Sequence, residues 1–164
     1  MMTKGEFVRQ AYAAAVKSSE RSGMPAMVTV AQAALESNWG KSGLSREAHN
    51  YFGIKAHGKH ERIRLCTHKY DHPSTPKSGA LGTPAAGKTV EVKAEFAKYG
   101  SLEECIECRD GILLRGAVYA RARETRGDEE AFIREMAKHW ATDPRYAEKL
   151  RAMLGVVKGM VEKS

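Results

Sequence analysis

A chain of 164 residues, 42% hydrophobic and 29% charged, is long enough to bury one core and has the balance of a soluble globular domain. No apolar run approaches the roughly 20 residues that span a bilayer, so membrane insertion is not expected. The net charge of +7 suits an anionic partner. Zinc-finger spacing, an aromatic strand motif and long Lys/Arg blocks are all missing, so nucleic acid is not the expected one.

The N-terminal stretch "MMTKGEFVRQAYAAAVKSSE" sets Lys4, Glu6 and Arg9 among spaced apolar residues. It does not read as a secretory signal, and action outside the cytoplasm would require export by another route. Residues 4–21 are predicted helical from Phe7, Ala11, Tyr12, Ala15 and Val16, with "RSGMP" ending the segment. Pro25 opens a second helix, "PAMVTVAQAALES", whose Met27, Val28, Val30, Ala31, Ala34 and Leu35 leave little polar face. That helix should be central and buried. "SGLSREAHN" reads as a short helix between loops.

Residues 61–71 alternate Ile63, Leu65 and Thr67 and read as a strand, and "TVEVKAEF" (89–96) alternates again. The two are expected to pair as a small antiparallel sheet. Between them, residues 72–88 are rich in Pro, Gly and Ser and read as a mobile flap. Helices are predicted over about 101–120, 128–141 and 144–162, with Asp128 an N-cap and Pro144 in a first helical turn. The expected fold is mainly α: a helical lobe and a small antiparallel β lobe with a cleft between them, forming one domain over 1–164.

Cys66, Cys105 and Cys108 are an odd number, which is not a disulfide framework. Cys105 and Cys108 fall on a helix and are expected as small buried apolar residues. No metal or other cofactor is expected: there is no H-E-x-x-H pattern, and His57, His60, His68 and His72 sit in a basic loop and edge-strand stretch.

The residue that stands out is Glu36, at the end of the apolar helix in "ALESNWG" (34–40). A negative charge at a helix C-terminus is disfavoured by the helix dipole. Leu35 and Trp39 are expected to desolvate it, and desolvation keeps a carboxyl protonated at higher pH. A protonated carboxyl facing a cleft is what a glycosidic leaving oxygen requires.

"ALESNWG" with "NYFGIKA" (50–56), "AEFAKYGSLEEC" and "WATDPRYAEKL" (140–150) closely resembles the ordered motifs of glycoside hydrolase family 73. These are bacterial N-acetylglucosaminidases that cut peptidoglycan. The resemblance spans roughly residues 5–160. It implies a lysozyme-like fold, peptidoglycan glycan strands as the substrate, and cleavage of the β-1,4 bond after N-acetylglucosamine. It implies Glu36 as general acid. Asn50, Phe52, Gly53 and Lys55 match the box behind the cleft. Trp140 matches an aromatic, usually Tyr, that lies near the acid and helps position substrate, and Tyr146 matches the second Tyr of that motif. Trp39 is a candidate sugar contact, although its place after a buried helix also suits a core role.

One position departs from the family. A second acid is common in the first strand, where this chain has "CTHKYDH" with Lys69 at the expected Glu position. Asp71, two residues on and on the same strand face, is the first replacement candidate, ahead of Glu61 and Glu91. Substrate assistance by the 2-acetamido group stays open. So do a muramidase or lytic transglycosylase reading and a wall-binding module with a degenerate site. The role expected is an antibacterial toxin delivered by a secretion machine, such as a type VI system, or a phage lysis protein. A toxin would require a cognate immunity protein that occludes the cleft. Action is expected in the periplasm or on the wall.

Overall fold

In the structure, a computed structural model, the described residues are 1–56, 68–74 and 92–163, with side chains described for 1–56 and 95–163. The elements run α1 (Lys4–Ser22), α2 (Ala26–Ser37), α3 (Gly43–Ala48), β1 (His68–Ser74), β2 (Val92–Lys98), α4 (Leu102–Arg115), α5 (Ala120–Glu124), α6 (Glu129–Trp140) and α7 (Tyr146–Glu162). The fold is mainly α with one antiparallel strand pair among the described residues, as expected.

Local chemistry accounts for the helix limits. Thr3 and Glu6 form a reciprocal capping box that starts α1, and Gly23 at φ 70° ends it. Ser42, Ser101 and Asp128 each accept a backbone N–H and start α3, α4 and α6. The predicted helix over 101–120 is broken. It stops at Arg115, and a 3-10 turn, Ala117–Tyr119, joins it to α5. Arg123 pins the break by donating to the carbonyls of Leu113 and Gly116 at 2.8 and 2.6 Å. α7 starts at Tyr146 rather than in the turn at Pro144, because the Asp143 carboxylate and carbonyl accept the N–H groups of Arg145 and Tyr146.

α2 lies at the centre. Residues 28–34 are all buried, and α1 packs along one side of it and α7 along another. Phe7, Val28, Ile106, Phe132, Ile133, Met136 and Leu150 fill the core around it. β1 pairs with β2 in antiparallel register, with Tyr70 opposite Phe96 and Asp71 opposite Glu95. β1 continues to Ser74, so His72, Pro73 and Ser74, expected in the flap, belong to the strand. The remainder of that flap (75–88) and the first part of the predicted strand (61–67) lie outside the described residues.

The segment after α3 fastens the sheet to the helices. Asn50 Nδ2 donates to the carbonyls of Ile54 (2.8 Å) and Ala97 (2.9 Å). Asn50 Oδ1 accepts from the N–H groups of Phe52 and Ile54. Backbone bonds from Ala97 to Ile54, Ala56 to Glu95 and Tyr99 to Ala48 complete the seam. Every polar atom of the Asn50 amide is thus engaged within the protein.

Cys105 is a free buried thiol, as the helix pattern suggests. Cys108 is not simply a small apolar residue: it is disulfide-bonded and also accepts from the Tyr99 hydroxyl at 3.2 Å. The pairing escapes the helix pattern because it depends on the tertiary neighbours of α4. Cys66 lies outside the described residues.

Candidate active site

Glu36 occupies the last turn of α2, and the chain leaves that turn through an unusual corner. Asn38, Trp39 and Gly40 take successive left-handed conformations, φ 50°, 59° and 77°. For two non-glycine residues this is a costly conformation. Ser37 supports it: its hydroxyl donates to the Ala33 carbonyl at 2.6 Å and accepts from Gly40 N–H at 2.8 Å. Its carbonyl accepts from both Lys41 and Ser42. Gly40 is required there, because a Cβ would stand 3.0 Å from the Phe7 ring at a positive φ.

The corner drives Trp39 inward and leaves Glu36 outside. Trp39 is 7% exposed, edge-on to Phe7 at 6.4 Å, with Lys4 Nζ 5.0 Å above its ring. It is a core residue. A ring covered in this way offers no sugar platform. Glu36 is exposed, so the expected desolvation by Leu35 and Trp39 is not what its surroundings supply.

What does reach Glu36 is Tyr146, from the first turn of α7. The Tyr146 hydroxyl makes a hydrogen bond with the Glu36 carboxylate. Burial chiefly, and then the neighbouring Glu36 charge, push that hydroxyl far above its usual range, so Tyr146 stays protonated and donates. Behind it, Gln32 Nε2, one turn before Glu36 on α2, donates to the Tyr146 hydroxyl at 3.1 Å. Gln32 Oε1 accepts from Arg109 Nε at 2.9 Å.

Arg109 is wholly buried. Its Nη1 donates to Thr29 Oγ1 and to Asp110 Oδ1, each at 2.8 Å. Asp110 Oδ2 accepts from Ser18 and Ser22 of α1 at 2.6 and 3.0 Å. The guanidinium also lies 5.6 Å from the centre of the Phe52 ring, a cation–π distance. Phe52 in turn meets Trp140 edge-on at 6.4 Å, and Trp140 meets Tyr119 at 6.2 Å. Trp140 is partly exposed.

Glu36, Tyr146, Phe52 and Trp140 therefore belong to one connected cluster. Asn50 is a buried structural staple rather than a surface contact. Lys55 is exposed and bridges to Phe96 through its backbone. Asp71 lies on β1 opposite Glu95, but its side chain lies outside the described residues, as do those of Lys69, Glu61 and Glu91. Among the described residues, no three His, Cys, Asp or Glu converge as a metal site. Gln32, Arg109, Asp110 and Tyr119 are the members that periodicity does not reveal. The available signal was polar residues set in buried helices: Gln32 amid alanines, and adjacent Arg109-Asp110 on an otherwise apolar side.

Comparisons with known proteins identify the family and the fold. A family profile described as glucosaminidase, mannosyl-glycoprotein endo-beta-N-acetylglucosaminidase, matches residues 12–158. The peptidoglycan hydrolase FlgJ of Salmonella typhimurium is 33% identical over 152 residues, covering 89% of this chain and 44% of that protein. The chain spans less than half the length of the FlgJ relatives it matches. The solved glycoside hydrolase domain of the Salmonella protein superposes with a TM-score of 0.74 at 31% identity, covering 99% of this chain and 92% of that one. The catalytic domain of the autolysin Auto from Listeria monocytogenes superposes with a TM-score of 0.77 at 25% identity, covering 100% and 89%. The fold is lysozyme-like, and the chain belongs to the glucosaminidase family, glycoside hydrolase family 73.

Proposed function

We propose that the chain hydrolyses the β-1,4 bond after N-acetylglucosamine in peptidoglycan, with Glu36 as the general acid. The observation that carries this reading is the placement of Glu36: exposed at the end of the buried α2, and held by a protonated Tyr146. Tyr146 orients the carboxyl by a hydrogen bond, and the proton that must pass to the leaving oxygen is carried by Glu36. As the C1–O bond breaks, that proton neutralises the departing alkoxide, and positive charge develops on the sugar ring. Trp140, partly exposed beside Phe52, is proposed as the sugar contact next to the acid. Lys55 is retained as an outer contact to the glycan.

Water adds to C1 and gives its proton to a base. Asp71 is the proposed base, and in an inverting site it would stand about 6.5–9.5 Å from Glu36. The substrate's own acetamido group is the alternative nucleophile. Residues 1–164 are proposed to form one catalytic domain. Its positive charge favours approach to an anionic wall. The disulfide at Cys108 suits an oxidising compartment such as the periplasm.

The test is Glu36→Gln, which keeps shape and removes the proton. Loss of a general acid costs about 10²–10⁴-fold in rate. Retention of most activity on purified sacculi would exclude Glu36. Reduced glucosamine at the new ends of borohydride-treated products supports the proposed bond. Reduced muramic acid ends would indicate a muramidase, and anhydro-muramic ends a lytic transglycosylase. For the cellular role we propose an antibacterial toxin countered by an immunity protein over the cleft. Toxicity only when the chain is directed to the periplasm, relieved by a protein encoded beside it, is the expected result.

A further inference from the structure

The bonds behind Glu36 have a direction that the donor inventory fixes. Arg109 can only donate, so the Gln32 atom it meets at 2.9 Å must be the amide oxygen. The amide nitrogen then necessarily faces the Tyr146 hydroxyl, which it meets at 3.1 Å as donor. Tyr146 accepts that bond with its oxygen, and its single hydrogen is left for the carboxylate of Glu36. Arg109 is itself held by Thr29 and by Asp110, which Ser18 and Ser22 hold from α1. Asp110 accepts from both sides and anchors Arg109, and from Arg109 through Gln32 and Tyr146 to Glu36 every bond runs donor to acceptor in the same direction.

We propose that Gln32 and Arg109 are positioning residues, which set the polarity of this chain so that Tyr146 always donates to Glu36. The inference rests on the reading of Glu36 as the general acid. It gives two side chains with no access to substrate a part in the reaction. With the amide turned over, Tyr146 would face an acceptor and donate to it, and Glu36 would lose that donor. Arg109, as a donor-only group with a fixed fork, forbids that state.

Several described charges on the helices around Glu36 are engaged with partners of their own. Glu36 is the single ionisable residue of α2. On α7, Glu148, Lys149, Arg151 and Lys158 pair with Arg145, Asp143, Glu130 and Glu129. From α4, the charge of Arg109 is matched by Asp110. On α1, Lys4 lies over Trp39, Glu6 caps Thr3 and Arg21 pairs with Glu107. The side chains of β1, Lys69 and Asp71 among them, lie outside the described residues.

The discriminating variant is Gln32→Glu. It keeps the shape and gives Arg109 a charged partner, but it replaces the donor facing Tyr146 with an acceptor. The Tyr146 hydrogen is then drawn away from Glu36. In the folded variant a loss of kcat of about tenfold to a hundredfold is expected, the range for a lost charge-assisted hydrogen bond, with a lower Tm because a second carboxylate is buried beside Arg109 and Asp110. The alkaline limb of the pH–rate profile on a soluble peptidoglycan fragment should move to higher pH, because a carboxylate without its donor holds its proton longer. Tyr146→Phe leaves the Arg109–Gln32 contact in place and should produce the same loss and the same shift. It decides the matter where Gln32→Glu fails to fold.

Parental kcat and an unmoved alkaline limb in a folded Gln32→Glu or in Tyr146→Phe would overturn the proposal. Glu36→Gln, run beside them, separates the two readings. If Glu36→Gln is inactive while the other variants behave as the parent, the polarised chain fails and the general acid stands. If Glu36→Gln is active, both fall together.

Discussion

Asp110 is the residue on which the buried network depends most heavily. Its carboxylate is 2% exposed and accepts from Arg109 Nη1, Ser18 Oγ and Ser22 Oγ at 2.8, 2.6 and 3.0 Å. Asp110→Ala strands a guanidinium that has no exposure and whose Nη2 already lacks a hydrogen-bond partner among the described residues. Breaking a buried pair from one side costs about 3–5 kcal/mol, because the remaining charge stays buried. That is a large part of the roughly 5–15 kcal/mol that holds a typical domain together. At about 2–4 °C per kcal/mol for a chain of this size, Tm should fall by roughly 6–20 °C. Differential scanning calorimetry of the parent, Asp110→Ala and Asp110→Asn measures it. The Asn variant keeps the acceptor toward Arg109 and should fall less. A drop below about 2 °C for Asp110→Ala, on the same scale, would refute the view that this carboxylate is structurally required.

Trp39→Ala should cost about 3–5 kcal/mol through lost packing on Phe7, and glycan affinity in the surviving folded fraction should be unchanged; a specific rise in KM would return Trp39 to the sugar site. Burial pushes the Cys105 thiol up to about 12, so the native state keeps a proton that the unfolded chain gives up. The stability linked to this group is full below about pH 8.5 and is lost as pH climbs toward 12. Alkylation of Cys105 at pH 9 should therefore require denaturant, and rapid labelling of the native protein would contradict the burial. If Asp71 is the base, Asp71→Asn should lower turnover by about 10²–10⁴-fold with Tm unchanged. Normal rates in Asp71→Asn, Glu61→Gln and Glu91→Gln would instead favour substrate assistance, and a substrate lacking the acetamido group should then not react.

The helices were legible in the sequence wherever local chemistry decided them. Thr3 and Glu6, the glycine at 23 and the cap at Asp128 act within a few residues of themselves, and α1, α2 and α6 fall close to their expected limits. The break at Gly116 was not legible, because its fastening is Arg123, a donor from the next helix. The same distinction divides the candidate site. Glu36 could be found from its place in a run of residues. The orientation of Trp39 depends on three left-handed residues and a contact to Phe7, and no periodicity encodes that. Arg109 and Gln32 are 77 positions apart, and they meet only because α2 and α4 are both buried at the same junction.

Why the fold keeps an arginine and an aspartate in that junction is itself a testable question. Buried ion pairs are weak evidence for stability, since apolar residues of similar volume often replace them at no loss. The double variant Arg109→Met/Asp110→Leu removes both charges together and leaves no stranded ion. Ser18 and Ser22 can turn their hydroxyls to helix carbonyls one turn back. Its Tm should recover to within a few degrees of the parent, well above that of Asp110→Ala. Its activity should not recover. With no donor on Oε1, the Gln32 amide is free to turn, and Tyr146 no longer has a single direction in which to donate. Recovery of both properties would make the pair a packing solution and nothing more. Recovery of stability alone would separate the two roles and place the charges in the service of Glu36.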